Sequence, residues 1–164
     1  MSGPDLVMYE EEYRLIDDEL HRLHAQANAK VVFLVDKNGQ LIASMGETKG
    51  IDTTSLASLT AGNIAATGGM AKLLGEKEFS ILFHEGERDN IHISIIGQRV
   101  ILVVIFDQRS SLGLVRLRVK KSSETLTKIF VTIAEKAEMD KVKGQATASP
   151  FAEITDEDID NLFG

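Results

Sequence analysis

The chain has 164 residues, with 25 acidic against 18 basic side chains and a formal net charge of −7. Its 43% hydrophobic and 26% charged content is that of one globular domain long enough to bury its own core. The acidic balance speaks against a phosphate-tracking nucleic-acid surface and against adsorption to anionic membranes. The absence of cysteine excludes disulfides, thiolate metal sites and cysteine nucleophiles. No apolar run reaches the ~20 residues of a membrane-spanning helix, so no membrane insertion is expected. The opening Met1-Ser2-Gly3-Pro4-Asp5, followed by acids, lacks the features of a signal peptide, and a cytoplasmic protein is expected.

In chain order, Tyr9, Tyr13, Ile16, Leu20 and Leu23 make one apolar stripe, predicting a helix over 9–26 with Glu10, Glu11 and Glu12 in its favourable first turn. Residues 30–45 read as a hairpin. The run Val31 to Val35 suits a strand buried on both faces, Leu41 to Met45 returns, and Asn38-Gly39 is a hairpin turn signal. A second helix is expected over 52–74, capped by Asp52, Thr53 or Thr54 and ended by Gly75. Leu56, Leu59, Asn63, Ala66, Met70 and Leu73 step along one of its faces, and Leu56, Leu59, Met70 and Leu73 are expected to pack on the sheet.

Three strands are expected next, at 79–83, 91–96 and 100–106. The last is apolar throughout and therefore central, whereas His92 and Ser94 make one face of the middle strand partly polar. Over 110–137 the series Leu112, Val115, Val119, Ser122, Leu126, Ile129 and Ile133 holds a helical period with one polar miss. The expected fold class is α/β: a five-stranded, mainly antiparallel sheet with a helix layer, in the order α-β-β-α-β-β-β-α. Residues 1–137 form the domain. Residues 138–149, polar and small, read as a flexible linker, and 150–164 as an acidic amphipathic tail.

Catalytic chemistry is poorly represented. His21 and His24 are three apart on a helix, but two further ligands are missing and solvated histidines are the simpler reading, so no metal is expected. Asp17-Asp18 and Glu85 with Glu87 read as solvation. Neither a phosphate-binding glycine loop nor a serine nucleophile elbow occurs, and no cofactor or catalytic residue is assigned. Arg14, Arg88, Arg99 and Arg109 are each conceivable as a donated arginine, with no basis for preferring one.

Two surfaces remain. Ala61, Ala65 and Gly69 at i, i+4 and i+8 form a small-residue face of the second helix, suited to a partner or dimer interface, with close packing on the protein's own sheet as the alternative. In the tail, Thr155 is a helix cap, and Phe151, Ile154, Ile159, Leu162 and Phe163 line one side against five acids on the other. Such anchors suit a segment that folds into a partner's groove, against the plainer reading of a solubilising acidic end.

The hairpin Val31–Ala43, the helix start Leu56-Ala57-Ser58-Leu59-Thr60-Ala61-Gly62-Asn63 and the last-helix start Ser111-Leu112-Gly113-Leu114-Val115-Arg116 together resemble the roadblock / dynein light chain domain family. The segments Leu6–Glu12, Ser149–Ile154 and Asp158–Phe163 strengthen the likeness, which covers about the whole chain. It implies a homodimer that binds an MglA-type Ras-like GTPase of polarity and motility systems and accelerates GTP hydrolysis by reshaping the switch region, without an arginine finger or an active site of its own. It further implies that Ala61, Ala65 and Gly69 of both copies form the GTPase-docking surface, flanked by Arg14, Lys120 and Lys121. The tail would contact the GTPase away from the nucleotide and aid exchange, and a cell pole is a place of recruitment. A non-catalytic adaptor subunit of roadblock type is the alternative.

Overall fold

The computed structural model describes residues 9–147, with side chains described to residue 143. Three helices and five strands follow in the expected order: α1 (Glu10–Gln26), β1 (Val31–Asp36), β2 (Leu41–Gly46), α2 (Thr53–Leu73), β3 (Ile81–Glu85), β4 (Asn90–Ile96), β5 (Val100–Phe106) and α3 (Leu112–Thr147). The strands form one sheet in the order β2-β1-β5-β4-β3, with every neighbouring pair antiparallel.

Every residue of β1 and β5 is buried. Alternate side chains of a strand point to opposite faces, so this pair needs cover on both sides, and the helices divide accordingly. Val32, Leu34, Leu102, Val104 and Phe106 meet Ile16, Leu20 and Leu23 of α1 and Val115, Leu126 and Ile133 of α3. Val31, Phe33, Val35, Ile101, Val103 and Ile105 instead meet Ala57, Ala61 and Ile64 of α2. The expected single helix layer is thus two, one on each face.

The apolar period of α3 is realised at every position, and its polar miss has a partner: buried Ser122 Oγ donates to Glu19 Oε1 on α1 at 2.9 Å. Glu19 is buried too and takes Arg22 Nη1 at 3.0 Å. In α1 the expected stripe is only partly used. Tyr13 points largely to solvent, while Glu12 turns inward and is ion-paired with Lys136 of α3. Beside that pair, Tyr9 Oη donates to Asp140 Oδ2 at 2.6 Å, and Lys136 Nζ lies 5.6 Å from the centre of the Tyr9 ring.

These contacts account for one correction. The helix does not stop at Ala137; it runs on through Thr147, well into the segment expected to be a linker. Glu138, Met139, Lys141 and Lys143 are good helix formers, and Lys136 and Asp140 tie this turn to α1. The remaining linker residues and the tail 150–164 lie outside the described residues. The other shift is small: β3 starts at Ile81 rather than Phe79, with Ser80 accepting one bond from Ile95 N–H at 3.0 Å.

The Lys136 ammonium holds the Glu12 carboxyl below its ordinary range, against the opposing pull of burial, and Glu12 raises Lys136 in return. The Glu12 contribution to stability is therefore present above the ordinary carboxylate pKa and lost as pH falls through the lower folded value. Lys136→Met removes the partner and leaves the carboxylate buried, so its folded pKa then moves up instead. Thermal melts should show the variant less stable than the parent at neutral pH. The gap should narrow between about pH 5 and pH 3, as protonation relieves the stranded charge. A gap independent of pH would remove the pair from the account.

Candidate interaction surface

Helix α2 starts on a firm cap. Asp52 Oδ1 accepts from the Ser55 amide at 3.0 Å and Oδ2 from the Ser55 hydroxyl at 2.6 Å, and these bonds hold the Asp52 carboxyl below its usual range. Of the three caps considered, Asp52 is the one used. The first turns of α2 then meet the β1–β2 turn, where Asp36 Oδ1 accepts from the amides of Asn38 at 2.9 Å and Gln40 at 3.0 Å. Gly39 sits there at φ +91°, and a Cβ on it would stand 3.2 Å from Ser58 Cα and 3.7 Å from Ala61 Cβ. The glycine is required both by backbone conformation and by how closely helix and hairpin approach.

The small residues bring α2 down on the sheet. Ala57 is fully buried, Ala61 and Ile64 pack in the same cluster, and Thr60 Oγ1 returns a bond to Leu56 O at 2.7 Å. Farther along, Asn63 Nδ2 and His84 Nε2 of β3 are 3.1 Å apart.

This packing reverses part of the sequence reading. Leu59, Met70 and Leu73, expected to face the sheet, are 70%, 60% and 89% exposed. The larger side chains point outward because the alanines allow the closer approach. The stripe Ala61, Ala65, Gly69 is also divided, since i+4 steps drift around a helix of 3.6 residues per turn. Ala61 faces the sheet, whereas Ala65 and Gly69 are exposed. A Cβ on Gly62, Gly68 or Gly69 would meet nothing within 4 Å. No contact inside the described residues requires these glycines.

Arg14, Lys120 and Lys121 are exposed, but they lie on α1 and α3. Those helices cover the face of the sheet opposite α2, so within one protomer these residues do not flank its small face. The tail anchors Phe151, Ile154, Ile159, Leu162 and Phe163 fall outside the described residues. His21 and His24 do not converge: His21 Nε2 lies 3.8 Å from Asp17, while the His24 ring fills the space beside Gly46. Arg109 is engaged by Asp107 at 3.0 Å and Glu47 at 2.9 Å, which hold its guanidinium strongly protonated and lower both carboxyls.

The exposed surface of α2 therefore carries Leu59, Met70 and Leu73, with Leu74 exposed at its C-cap. At the end of the sheet, β3 pairs among the described residues on one side only, with β4, and exposes Ile81 and Phe83. An apolar helix face and an open apolar strand edge are features of association surfaces. Sequence reasoning missed the leucine face because it assigned those leucines to the core; the signal available was the run of alanines and glycines that could approach the sheet more closely.

Residues 15–106, more than half of the chain, match the model of the Roadblock/LC7 domain. The chain belongs to the Roadblock/LC7 family. Its roadblock fold is similar to that of Myxococcus xanthus MglB, with 66% sequence identity over 78% of this chain and 96% of that one and a TM-score of 0.74. The gliding protein MglB from Thermus thermophilus is 34% identical over 80% of this chain and 99% of that one, with a TM-score of 0.75. Another MglB, described in a tetrameric arrangement, is 32% identical over 80% and 99%, with a TM-score of 0.76. No match was found among curated proteins. The chain is an MglB-like roadblock protein, and no helix among its described residues is long and apolar enough to cross a membrane.

The two kinds of glycine in this roadblock domain separate experimentally. Gly69→Ala should raise the unfolding free energy by up to about 1 kcal/mol in urea titrations, because the helix gains propensity and no clash arises. Gly39→Ala should lower it. A loss of stability from Gly69→Ala would show that the open space around the glycine is occupied.

Proposed function

We propose that the protein is a GTPase-activating regulator of an MglA-type Ras-like GTPase in cell polarity and motility, working as a homodimer in the cytoplasm with recruitment to a cell pole. The observation that carries this reading is the 66% identity with M. xanthus MglB across almost the whole of that chain. Physical support comes from the exposed apolar face of α2 and the open edge of β3. The β3 edges of two copies pair, and the two α2 faces, with Ala65 and Gly69 at their centre, receive the GTPase. The tail, through Phe151, Ile154, Ile159, Leu162 and Phe163, contacts the GTPase away from the nucleotide and aids exchange.

The regulator supplies no reacting group. It binds the switch conformation in which the GTPase's own residues align on the γ-phosphate. If that conformation is about 1% populated in the free GTPase, selecting it raises the rate at most about 100-fold, below the roughly 10³–10⁵-fold of a donated arginine. The ion pairs of Arg109 to Glu47 and Asp107 support a mechanism that does not draw on this arginine.

Single-turnover GTP hydrolysis by the cognate GTPase, with and without this protein, tests the reading, and acceleration is expected. Gly69→Arg should abolish both acceleration and binding while leaving a folded dimer, because the added side chain projects into open space. Binding without acceleration would instead make the protein an adaptor of roadblock type.

The dimer is tested separately. In the antiparallel ladder, Ser80 bonds toward β4, so the amide of Phe83 points to the open edge. Phe83→Pro removes that outward donor and should shift sedimentation equilibrium toward monomer. An unchanged dimer would place the interface elsewhere.

A further inference from the structure

On the α1/α3 side of the sheet, α1 lies mainly over β1 and β2, and α3 lies over β4. A cavity of about 770 Å³ opens there between β4, the start of β3 and α3. A second, of about 530 Å³, continues it along α3 toward Lys141, and Thr127 borders both. Together they form one groove running back along α3.

Its floor is unusual. His92 and Ser94 project from the same face of β4 and line the first cavity. They are 1% and 5% exposed, yet both ring nitrogens of His92 and the Ser94 hydroxyl lack a hydrogen-bond partner. Burial lowers the His92 pKa first, and the charge of Arg116 lowers it further, so the ring is held neutral with one N–H to donate. The ring and the hydroxyl are already closed off from the surface, so they make the floor beneath the groove polar without contacting what lies in it. The rim is mainly basic: the first cavity has Arg116, Lys120 and Lys128 against Glu124, and the second has Arg99 and Lys141 against Glu138. Ile81, Ile95 and Val119 add apolar wall. An occupant that fits is acidic and apolar on one side.

The chain contains such a segment. Residues 150–164 carry Glu153, Asp156, Glu157, Asp158 and Asp160 with no basic residue, interleaved with Phe151, Ile154, Ile159, Leu162 and Phe163. Lys128 lies about 29 Å, and Lys120 about 40 Å, back from Thr147 along α3. Extended chain from Thr147 carries Leu162 about 50 Å. We propose that the 150–164 segment of the same chain folds back along α3 and docks in this groove. Its apolar side chains lie against Ile81, Ile95 and Val119, and its carboxylates face Lys120, Lys128 and Arg116. Tethering raises the local concentration of the segment to the millimolar range, so weak intrinsic contacts suffice.

Docking concerns this chain alone and stands whether or not a GTPase is its partner. Only its consequence rests on the regulator reading: a tail held in the groove is withheld from the GTPase until displaced.

Because the chain has no cysteine, a nitroxide can be placed on Glu124→Cys, at the exposed rim of the groove. In the full-length ¹⁵N-labelled protein, the amides of residues 156–163 should broaden when the label is oxidised and recover when it is reduced. Lys120→Glu with Lys128→Glu should weaken docking about 2–30-fold, the worth of two exposed ion pairs, and restore those signals in proportion. Both lysines are exposed, so the fold should be unaffected, and unchanged amide shifts in β1 and β5 would verify this. Absence of broadening in the parent would overturn the proposal. So would broadening that persists undiminished after charge reversal. Mixing spin-labelled ¹⁴N chains with unlabelled ¹⁵N chains gives the third arm. Tail broadening of equal size there would make the occupant a second copy's tail and overturn same-chain docking.

Discussion

The antiparallel pairing of β1 with β5 is the constraint on which the architecture rests. Both strands are buried along their whole length, so neither face of the sheet centre can be left to water. A strand pair of this kind demands two covering layers. The chain meets the demand asymmetrically, with two long helices on one face and one helix on the other.

That asymmetry separates the surfaces. The layer of α1 and α3 is closed by specific polar contacts, with Ser122 to Glu19 in its middle and Lys136 to Glu12 near its end. On the other face, α2 is held near its start by the Asp52 cap and the Gly39 turn. Its later turns carry leucines and methionine outward. Attachment on one side and exposed apolar surface on the other set α2 apart from the other two helices, and the charges assigned to flank it sit behind the sheet.

Legibility in the sequence followed the strength of each pattern. The α3 period was readable because seven positions held one spacing, and its polar exception fell where a buried carboxylate needed a donor. The hairpin was readable because Asn38-Gly39 lies between two apolar runs. Helix α2 was placed correctly but oriented only in part: Leu56 packs toward the sheet as expected, whereas Leu59, Met70 and Leu73 face outward. With alanine and glycine all round, hydrophobic size does not say which face is inside; closeness of approach to the sheet does, and that is a tertiary quantity. The end of α3 failed for a related reason: residues 138–147 are polar, and what holds the described part of that turn is Asp140 and Lys136 reaching α1. The polar face of β4 was visible, but not that His92 and Ser94 would be buried without partners.

The glycines of α2 have a dynamic consequence. Gly62, Gly68 and Gly69 each weaken the helix by up to about 1 kcal/mol relative to alanine, and no neighbour within the described residues offsets this. Local opening should therefore cost the outer turns of α2 less than it costs β1 and β5, which are buried along their whole length. A surface poised in this way can adjust its pitch and curvature to what it receives. A partner bound there would restrict this freedom, and the rigidity of the helix would then report whether the surface is occupied.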